Sequence, residues 1–282
     1  LFGGQAAFIR LKAGSPDIVE ASKLAVTVSL GESGARSAGG SRGANLILIR
    51  SALEDARAFA NRRAAFEQGA TRDFGLSRLD LQALIPVVQG KTPLLIRVSR
   101  AADIRQALKL AADEKIKIVL EGVEEGWMVA AEIAKAGVPV ILDPQADLPD
   151  SFETLGSRLD NAARLHAAGV SVAINGARDF NNLRQERLNA GLAVANGLPY
   201  PAALAAVTLV PARIWGQADK VGSLEVGKIA DVVVWNGDPL ETTSWPTAVL
   251  IGGVEQPKDG RHDQLKARYV ASDQTGYPPA YR

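Results

Sequence analysis

Short runs of apolar, often β-branched residues alternate along this chain with longer stretches in which apolar positions recur every three or four residues. That alternation predicts parallel strands covered by helices. The clearest unit runs from Pro93 to Leu120. Leu94, Leu95 and Ile96 form a buried strand, Ile104, Ala107, Leu108 and Ala111 share one helix face, and Ile116, Ile118, Val119 and Leu120 make the next strand. The cycle repeats with a helix from about Trp127 to Lys135, a stop at Ala136-Gly137, where glycine suits a left-handed cap, and a strand from Val138 to Leu142. It repeats again with a helix from Ser157 to Ala168, Gly169 as cap, and a strand from Val170 to Ile174. Upstream, Ala6 to Leu11 and Leu24 to Leu30 read as strands, and about Ala44 to Gln68 as one long helix.

Strand and helix units in such a series fit either an α/β (β/α)8 TIM barrel that lacks its first two strands or a doubly wound sheet. Gly39-Gly40 with Gly43 has the wrong spacing for a dinucleotide loop and lacks the Lys-Ser/Thr of a phosphate loop, so it reads as a flexible connection. The barrel is the favoured reading. From Val221 the pattern changes to Val-Gly-Ser-Leu-Glu-Val-Gly-Lys-Ile-Ala-Asp-Val-Val-Val-Trp-Asn-Gly-Asp-Pro, which predicts two short strands around a glycine turn. A third strand is expected near Val249 to Ile251, before Gly252-Gly253, giving a small antiparallel module.

Composition narrows the function classes. With 32 Lys and Arg against 31 Asp and Glu the net charge is +1, which argues against a broad footprint for nucleic acid or an anionic membrane. No apolar run approaches the roughly 20 residues that cross a bilayer. The absence of cysteine excludes disulfides, thiolate metal sites and a cysteine nucleophile, and leaves the compartment open between cytoplasm and periplasm. The chain opens on Leu-Phe-Gly-Gly-Gln without an initiator methionine or signal-peptide pattern, so further sequence is expected upstream.

Several segments carry a resemblance to the amidohydrolase superfamily, in the branch of imidazolonepropionases and prolidase-like enzymes. They are Ser29-Leu-Gly-Glu-Ser-Gly-Ala-Arg36, Arg213 within Thr208-Leu-Val-Pro-Ala-Arg, Gly222-Ser-Leu-Glu-Val-Gly-Lys-Ile-Ala-Asp231, and Ile251-Gly-Gly-Val254. The resemblance implies a barrel over residues 1–220, from its third to its eighth strand, and part of a flanking β-sandwich over residues 221–282. It further implies divalent metal, commonly zinc, at the carboxyl ends of the strands, and hydrolysis of C–N bonds in non-peptide or cyclic amides. The ligands it implies are a His-x-His on the first strand, a Lys or Glu on the fourth, histidines on the fifth and sixth, and an Asp on the eighth. This chain has two histidines in all. Arg97 stands where the resemblance puts one histidine, and a guanidinium cannot bind a metal ion. Glu121 or Gly122 stands at the other, and Ala177 at the Asp, with Asp179 two residues on as a displaced substitute. Zinc needs about three protein ligands even in an open site, so a degenerate metal site is expected, with no cofactor evident from this chain. The stretch from Leu142-Asp-Pro through Leu-Pro-Asp-Ser-Phe-Glu-Thr-Leu-Gly-Ser-Arg-Leu-Asp-Asn-Ala is similar to metal-poor relatives that act as partners of intact ones.

Glu32 directly follows a strand, and it and Asp179 are the candidates for moving protons. Arg97 would point into the barrel mouth, as a salt bridge to Glu32, Glu121 or Asp179 that fills the vacant metal site or as a clamp for a substrate carboxylate. Glu121, Asn175 and Asp143 are the further candidates for holding substrate, and Arg184 also follows a strand. Asn181-Asn182 reads as a helix cap. His166 ends a helix at the face away from chemistry, and His262 lies in a polar loop among Lys258, Asp259, Arg261 and Asp263. Trp127, Trp215 and Trp235 read as packing residues, and Ser33 and Ser99 lack a histidine base. The expected partner is a small-molecule substrate, with no nucleic acid or membrane, and possible homo-oligomers. A rival from another class is a catalytically silent homologue that binds a small molecule or pairs with an active paralogue.

Overall fold

A computed structural model describes residues 1–11, 16–62, 68–69, 73–176, 185–258 and 260–270. It divides into two compact units, Leu1–Ser223 and Leu224–Arg282.

The first unit is built on a six-stranded sheet in the order β1 (Phe2–Ile9), β2 (Val19–Ser29), β3 (Leu94–Val98), β4 (Ile118–Gly122), β5 (Val140–Leu142) and β6 (Val172–Ile174). From β2 to β6 each strand pairs in parallel with the next. Parallel neighbours need a crossover of a dozen or more residues, and helices supply most of them. After β2 come α1 (Gly31–Arg36), α2 (Arg42–Asn61) and α3 (Arg78–Val88). After β3 comes α4 (Ala101–Glu114), and after β4 a 3-10 turn, Gly126–Val129, leads into α5 (Ala130–Ala136). After β5 comes α6 (Asn161–Ala167), and β6 is followed by α7 (Glu186–Ala195), α8 (Tyr200–Ala206) and α9 (Leu209–Ile214). The strand order is sequential, with no reversal of the kind a doubly wound sheet contains.

Local chemistry explains the ends of these elements. The hydroxyls of Ser41 and Ser77 cap α2 and α3, accepting the backbone N–H groups of Ala44 (3.1 Å) and Asp80 (3.3 Å). Lys115 ends α4 and Gly137 ends α5 in the left-handed conformation, at φ 53° and 64°. Alternation then sorts the strands into two faces. Leu94, Ile96, Val98, Leu120, Val140 and Leu142 are buried in the core, as are Ile104, Ala107 and Leu110 of α4 and Leu81, Leu84 and Val87 of α3. Each large aliphatic side chain removed from water in this way contributes about 1.5–3 kcal/mol.

The first strand departs from expectation. The sequence pattern places it among the barrel's parallel strands, but β1 pairs antiparallel to β2. Only residues 10–18 separate the two, enough for a hairpin and too few for a crossover. The helix expected from Ser157 begins at Asn161, because Asp160 folds back on Arg158 in a turn (2.7 Å). The long second helix ends at Asn61, with residues 63–67 outside the described ones. Helix α3 was not foreseen from the apolar pattern.

The second unit carries an antiparallel sheet of β7 (Val232–Trp235), β8 (Pro246–Ile251) and β9 (Val254–Glu255). Of the two strands expected between Val221 and Val234 only the second forms. The segment before it is turn, held by the 3.2 Å bond from the Lys228 N–H to the Glu225 carbonyl. Gly252 and Gly253 join β8 to β9 with φ of 60° and 81°, the two positive values of a tight hairpin turn. Arg261–Val270 forms α10 where a polar loop was expected, and His262 is exposed on it. Among the described residues no helix is long and apolar enough to cross a membrane.

Candidate functional site

The carboxyl ends of the parallel strands place Ser29, Arg97, Glu121, Ile141 and Ala173 side by side in one row of the ladder. These residues point away from the helix-covered face, because their neighbours Val28, Ile96, Val98 and Leu120 fill it. A cavity of about 330 Å³ opens over the Ser29, Arg97 and Glu121 end of this row, with Leu1 to Gly3 on its far side. Thr27, Ser29, Ser33, Ser37, Arg97 and Glu121 supply its polar wall. The structure therefore brings Arg97 and Glu121 together, on neighbouring strands at one level.

Arg97 was expected as a salt bridge to Glu32, Glu121 or Asp179 or as a clamp for a substrate carboxylate. Among the described residues, which do not include Asp179, no ion pair involves it, and its side chain is exposed in the cavity. Glu32 was expected to serve the site. It lies in the first turn of α1 with its side chain exposed, and the cavity wall takes Ser33, Gly34 and Ser37 from that segment instead.

What Glu32 contributes is its backbone, whose N–H donates to Oε2 of Glu153 at 3.2 Å. Glu153 also pairs with Arg42, and Arg42 pairs in turn with Asp103 at the start of α4. Gly31 packs under this cluster at φ 70°, a backbone conformation that favours glycine, and a Cβ there would push on the Glu153 carboxylate at 2.5 Å. Burial pushes the Asp103 carboxyl above its ordinary range, with Arg42 acting against the shift. None of these three charged residues was singled out from the sequence. They come from segments 61 and 111 residues apart, and no local pattern announces their meeting.

A second polar group stands at the ends of β4, β5 and β6. Asp143 caps a short 3-10 turn, Pro144–Ala146, accepting the Gln145 N–H at 3.1 Å and the Asn189 amide at 2.9 Å. The same amide donates to the Asn175 carbonyl at 3.1 Å, so Asn189 ties together two of the expected substrate contacts. Asn175 itself is half-buried. Deeper in, Asn161 is fully buried and joins three partners: its Nδ2 donates to the Val123 carbonyl at 2.9 Å and to Asp147 at 3.3 Å, and its Oδ1 accepts the Trp127 N–H at 2.9 Å. Val123 needs that support, because its φ of 48° is one that β-branched residues rarely adopt. Burial pushes the Asp147 carboxyl up to about 8, against the Asn161 hydrogen bond and with Glu124, Asp143 and Asp160 adding repulsion. Burial thus favours the protonated form of Asp147. Asp143, Asp147 and Asn161 all lie in the stretch that begins at Leu142, but burial, which sets their behaviour, has no sequence signature.

Asp179, Arg184, Ala177, Asn181 and Asn182 lie outside the described residues. His166 is exposed in the last turn of α6. Among the described residues no group of three or more His, Asp or Glu side chains is arranged to hold a metal ion. Arg97 stands at the ladder position where the sequence resemblance puts a histidine, and a guanidinium does not ligate metal; Asp179 lies outside the described residues.

Relatives place this geometry. The chain is similar to a 5-methylthioadenosine/S-adenosylhomocysteine deaminase from Desulforudis audaxviator, with 39% identity over 113 residues that make up 36% of this chain and 25% of that protein. It is similar to an imidazolonepropionase from Aromatoleum aromaticum, with 44% identity over 97 residues, 32% of this chain and 23% of that protein. The chain thus spans less than a third of the length of these relatives. Among solved structures, an amidohydrolase from Thermotoga maritima superposes with a TM-score of 0.80 at 25% identity, covering 90% of this chain and 68% of its own. The sequence pattern of the Amidohydrolase family matches residues 42–257, more than half of the chain, and to that family the chain belongs.

Proposed function

We propose that this chain belongs to a hydrolase of C–N bonds in non-peptide or cyclic amides, working with a degenerate metal site. The proposal takes β2 to β6 as successive strands of a (β/α)8 barrel and β7 to β9 as part of a flanking β-sandwich. The sequential parallel order and the single helix-covered face support the barrel. The relatives, a deaminase and an imidazolonepropionase by name, support C–N chemistry.

The observation that carries the reading is the pairing of Arg97 with Glu121 at one level of the ladder, in a polar cavity at the carboxyl ends of the strands. A guanidinium there can donate to an amide carbonyl oxygen and stabilise the negative charge that develops as water attacks. Glu121 can take the proton from that water and return it to the departing nitrogen. Asn175 and Asp143 border the same strand ends and offer polar contacts to substrate, and Asp179 remains a further candidate for proton transfer. In the family, divalent metal supplies an electrophile.

One observation favours a second reading, a silent homologue that binds a small molecule or associates with an active paralogue. It is the lack, among the described residues, of a three-ligand cluster. Purified protein assayed against cyclic amides and N-acyl amino acids separates the two. The hydrolase reading expects turnover that falls at least about 100-fold in Arg97→Gln and in Glu121→Gln while both variants keep their fold. Absence of turnover in metal-supplemented intact protein, with saturable binding of the same compounds, establishes the silent homologue.

A further inference from the structure

A second and larger cavity, of about 820 Å³, lies at the opposite ends of the strands. Lys23 and Leu24 enter its wall ahead of the paired part of β2, Lys91 to Pro93 ahead of β3, and Lys117 ahead of β4. Arg213 and Trp215 close it from α9 and the turn that follows.

The wall is one-signed. Lys23, Lys91, Lys117 and Arg213 line it, and no Asp or Glu does among the described residues. In a chain with 32 cationic and 31 anionic residues, such segregation concentrates positive potential in one concavity. Of the acids near the wall along the chain, Asp113 pairs with Arg50 and Lys109, and Glu114 with Arg50 and Arg57. Among the described residues no ion pair involves any of the four cations. Between them the surface is apolar, from Leu108, Ile116, Val138, Ile214 and Trp215.

Three of the cations have a local reason to be there. Lys91, Lys117 and Arg213 stand at or just beyond the carboxyl ends of α3, α4 and α9, where positive charge offsets the helix dipole. Lys23 has none. It sits inside β2 at φ 61°, where the register with β1 slips between Ala6 and Phe8. A bulge redirects a side chain, and a lysine in left-handed backbone is disfavoured unless its surroundings hold it. The Thr92 hydroxyl, donating to the Lys23 carbonyl at 3.5 Å, is part of that support.

We propose that this cavity binds a small molecule with a dianionic head, a phosphate monoester or a pair of carboxylates, on an apolar body. The cations take the head and the aliphatic and indole surfaces take the body, as in ligand pockets generally. The site is separate from Arg97 and Glu121 and does not depend on the function proposed for them.

Calorimetric titration of the intact chain with phenyl phosphate and with phthalate tests the proposal. Saturable binding of at least one is expected, weakening about tenfold or more in the Lys23→Gln/Lys117→Gln double variant and weakening as salt is added. A preference for phenyl phosphate assigns a phosphate head, and the reverse assigns carboxylates. Arg97→Gln should bind both as the parent does, which separates failure here from failure of the hydrolase reading. Thermal melting confirms that the double variant is folded, and Trp215→Phe should remove ligand-induced quenching of tryptophan emission. No saturable binding of either dianion, or equal affinity in the folded double variant, overturns the proposal and leaves the cations as counter-charges for helix ends.

Discussion

On the helix-covered face of the parallel sheet, Leu94, Ile96, Val98, Leu120, Val140 and Leu142 are each at most 1% exposed. On the other face, the intervening residues Leu95, Arg97, Glu121 and Ile141 are half-buried or exposed, and two of them are charged. Both sets hang from the same ladder, so the backbone hydrogen bonds that hold Ile96 in the core also hold Arg97 at the cavity. The difference shows a division of labour at single-residue spacing. The helix-covered face is buried throughout, while the other face, where Val119 and Ala173 are also buried, leaves room at Arg97 and Glu121 for groups whose value is chemical.

The sharpest way to break that comparison is to exchange the roles. Ile96→Ala should lower stability by about 2–5 kcal/mol, through lost transfer energy and a cavity under the helices, measured by urea unfolding. A loss below the effect of changing Arg97 would show that the two faces are not energetically distinct. The next largest effect lies beside the sheet, at Asp147, whose folded carboxyl titrates at about 8. The unfolded chain gives up that proton near pH 4, so between about pH 4 and 8 the folded state binds more protons. The stabilising contribution is then full at low pH and declines as pH rises, by at most about 1.4 kcal/mol per unit. Asp147→Asn, a neutral stand-in for the acid, should flatten this slope and stabilise the protein at pH 8. Parallel pH profiles for parent and variant would show that the carboxyl is charged in the fold.

Asn161→Ala removes three hydrogen bonds in a buried site and should cost about 2–3 kcal/mol, read from the denaturation midpoint. A loss that grows as the pH rises past about 8, where the charged carboxyl lacks the Asn161 donor, would tie the effect to Asp147. Gly31→Ala forces a Cβ against Glu153 at positive φ and should cost about 1–2 kcal/mol, with the melting temperature as the measure. The smallest change in stability is expected from Arg97→Gln, within about 0.5 kcal/mol. Its effect should appear in turnover or ligand binding instead.

Much of the first unit was legible because β3 to β6 are compact apolar runs and the helices between them keep a helical period. What misled was connection and context. Nothing in Ala6 to Leu11 distinguishes a parallel strand from one arm of a hairpin, and the short link to β2 decides it. Helix α3 carries Pro86 inside its last turns, a residue that ordinarily argues against a helix, although Ser77 and Asp80 mark its start. In the second unit, Leu224 and Val226 have the alternation of a strand but are exposed, and among the described residues no strand pairs with them. At the candidate site, the positions of Arg97 and Glu121 near the carboxyl ends of β3 and β4 were readable because the strands themselves are short apolar runs. The cluster of Arg42, Asp103 and Glu153 was not, and neither was the acid state of Asp147.

The order of apolar and polar residues was enough to determine that this chain builds parallel strands with helices between them and that a guanidinium and a carboxylate end adjacent strands, because periodicity is a local property. Which carboxylates meet, which one keeps its proton, and that four cations face one concavity without an acid were decided only by the tertiary structure. Desolvation and charge pairing depend on distance in space, and the residues that set them lie far apart along the chain.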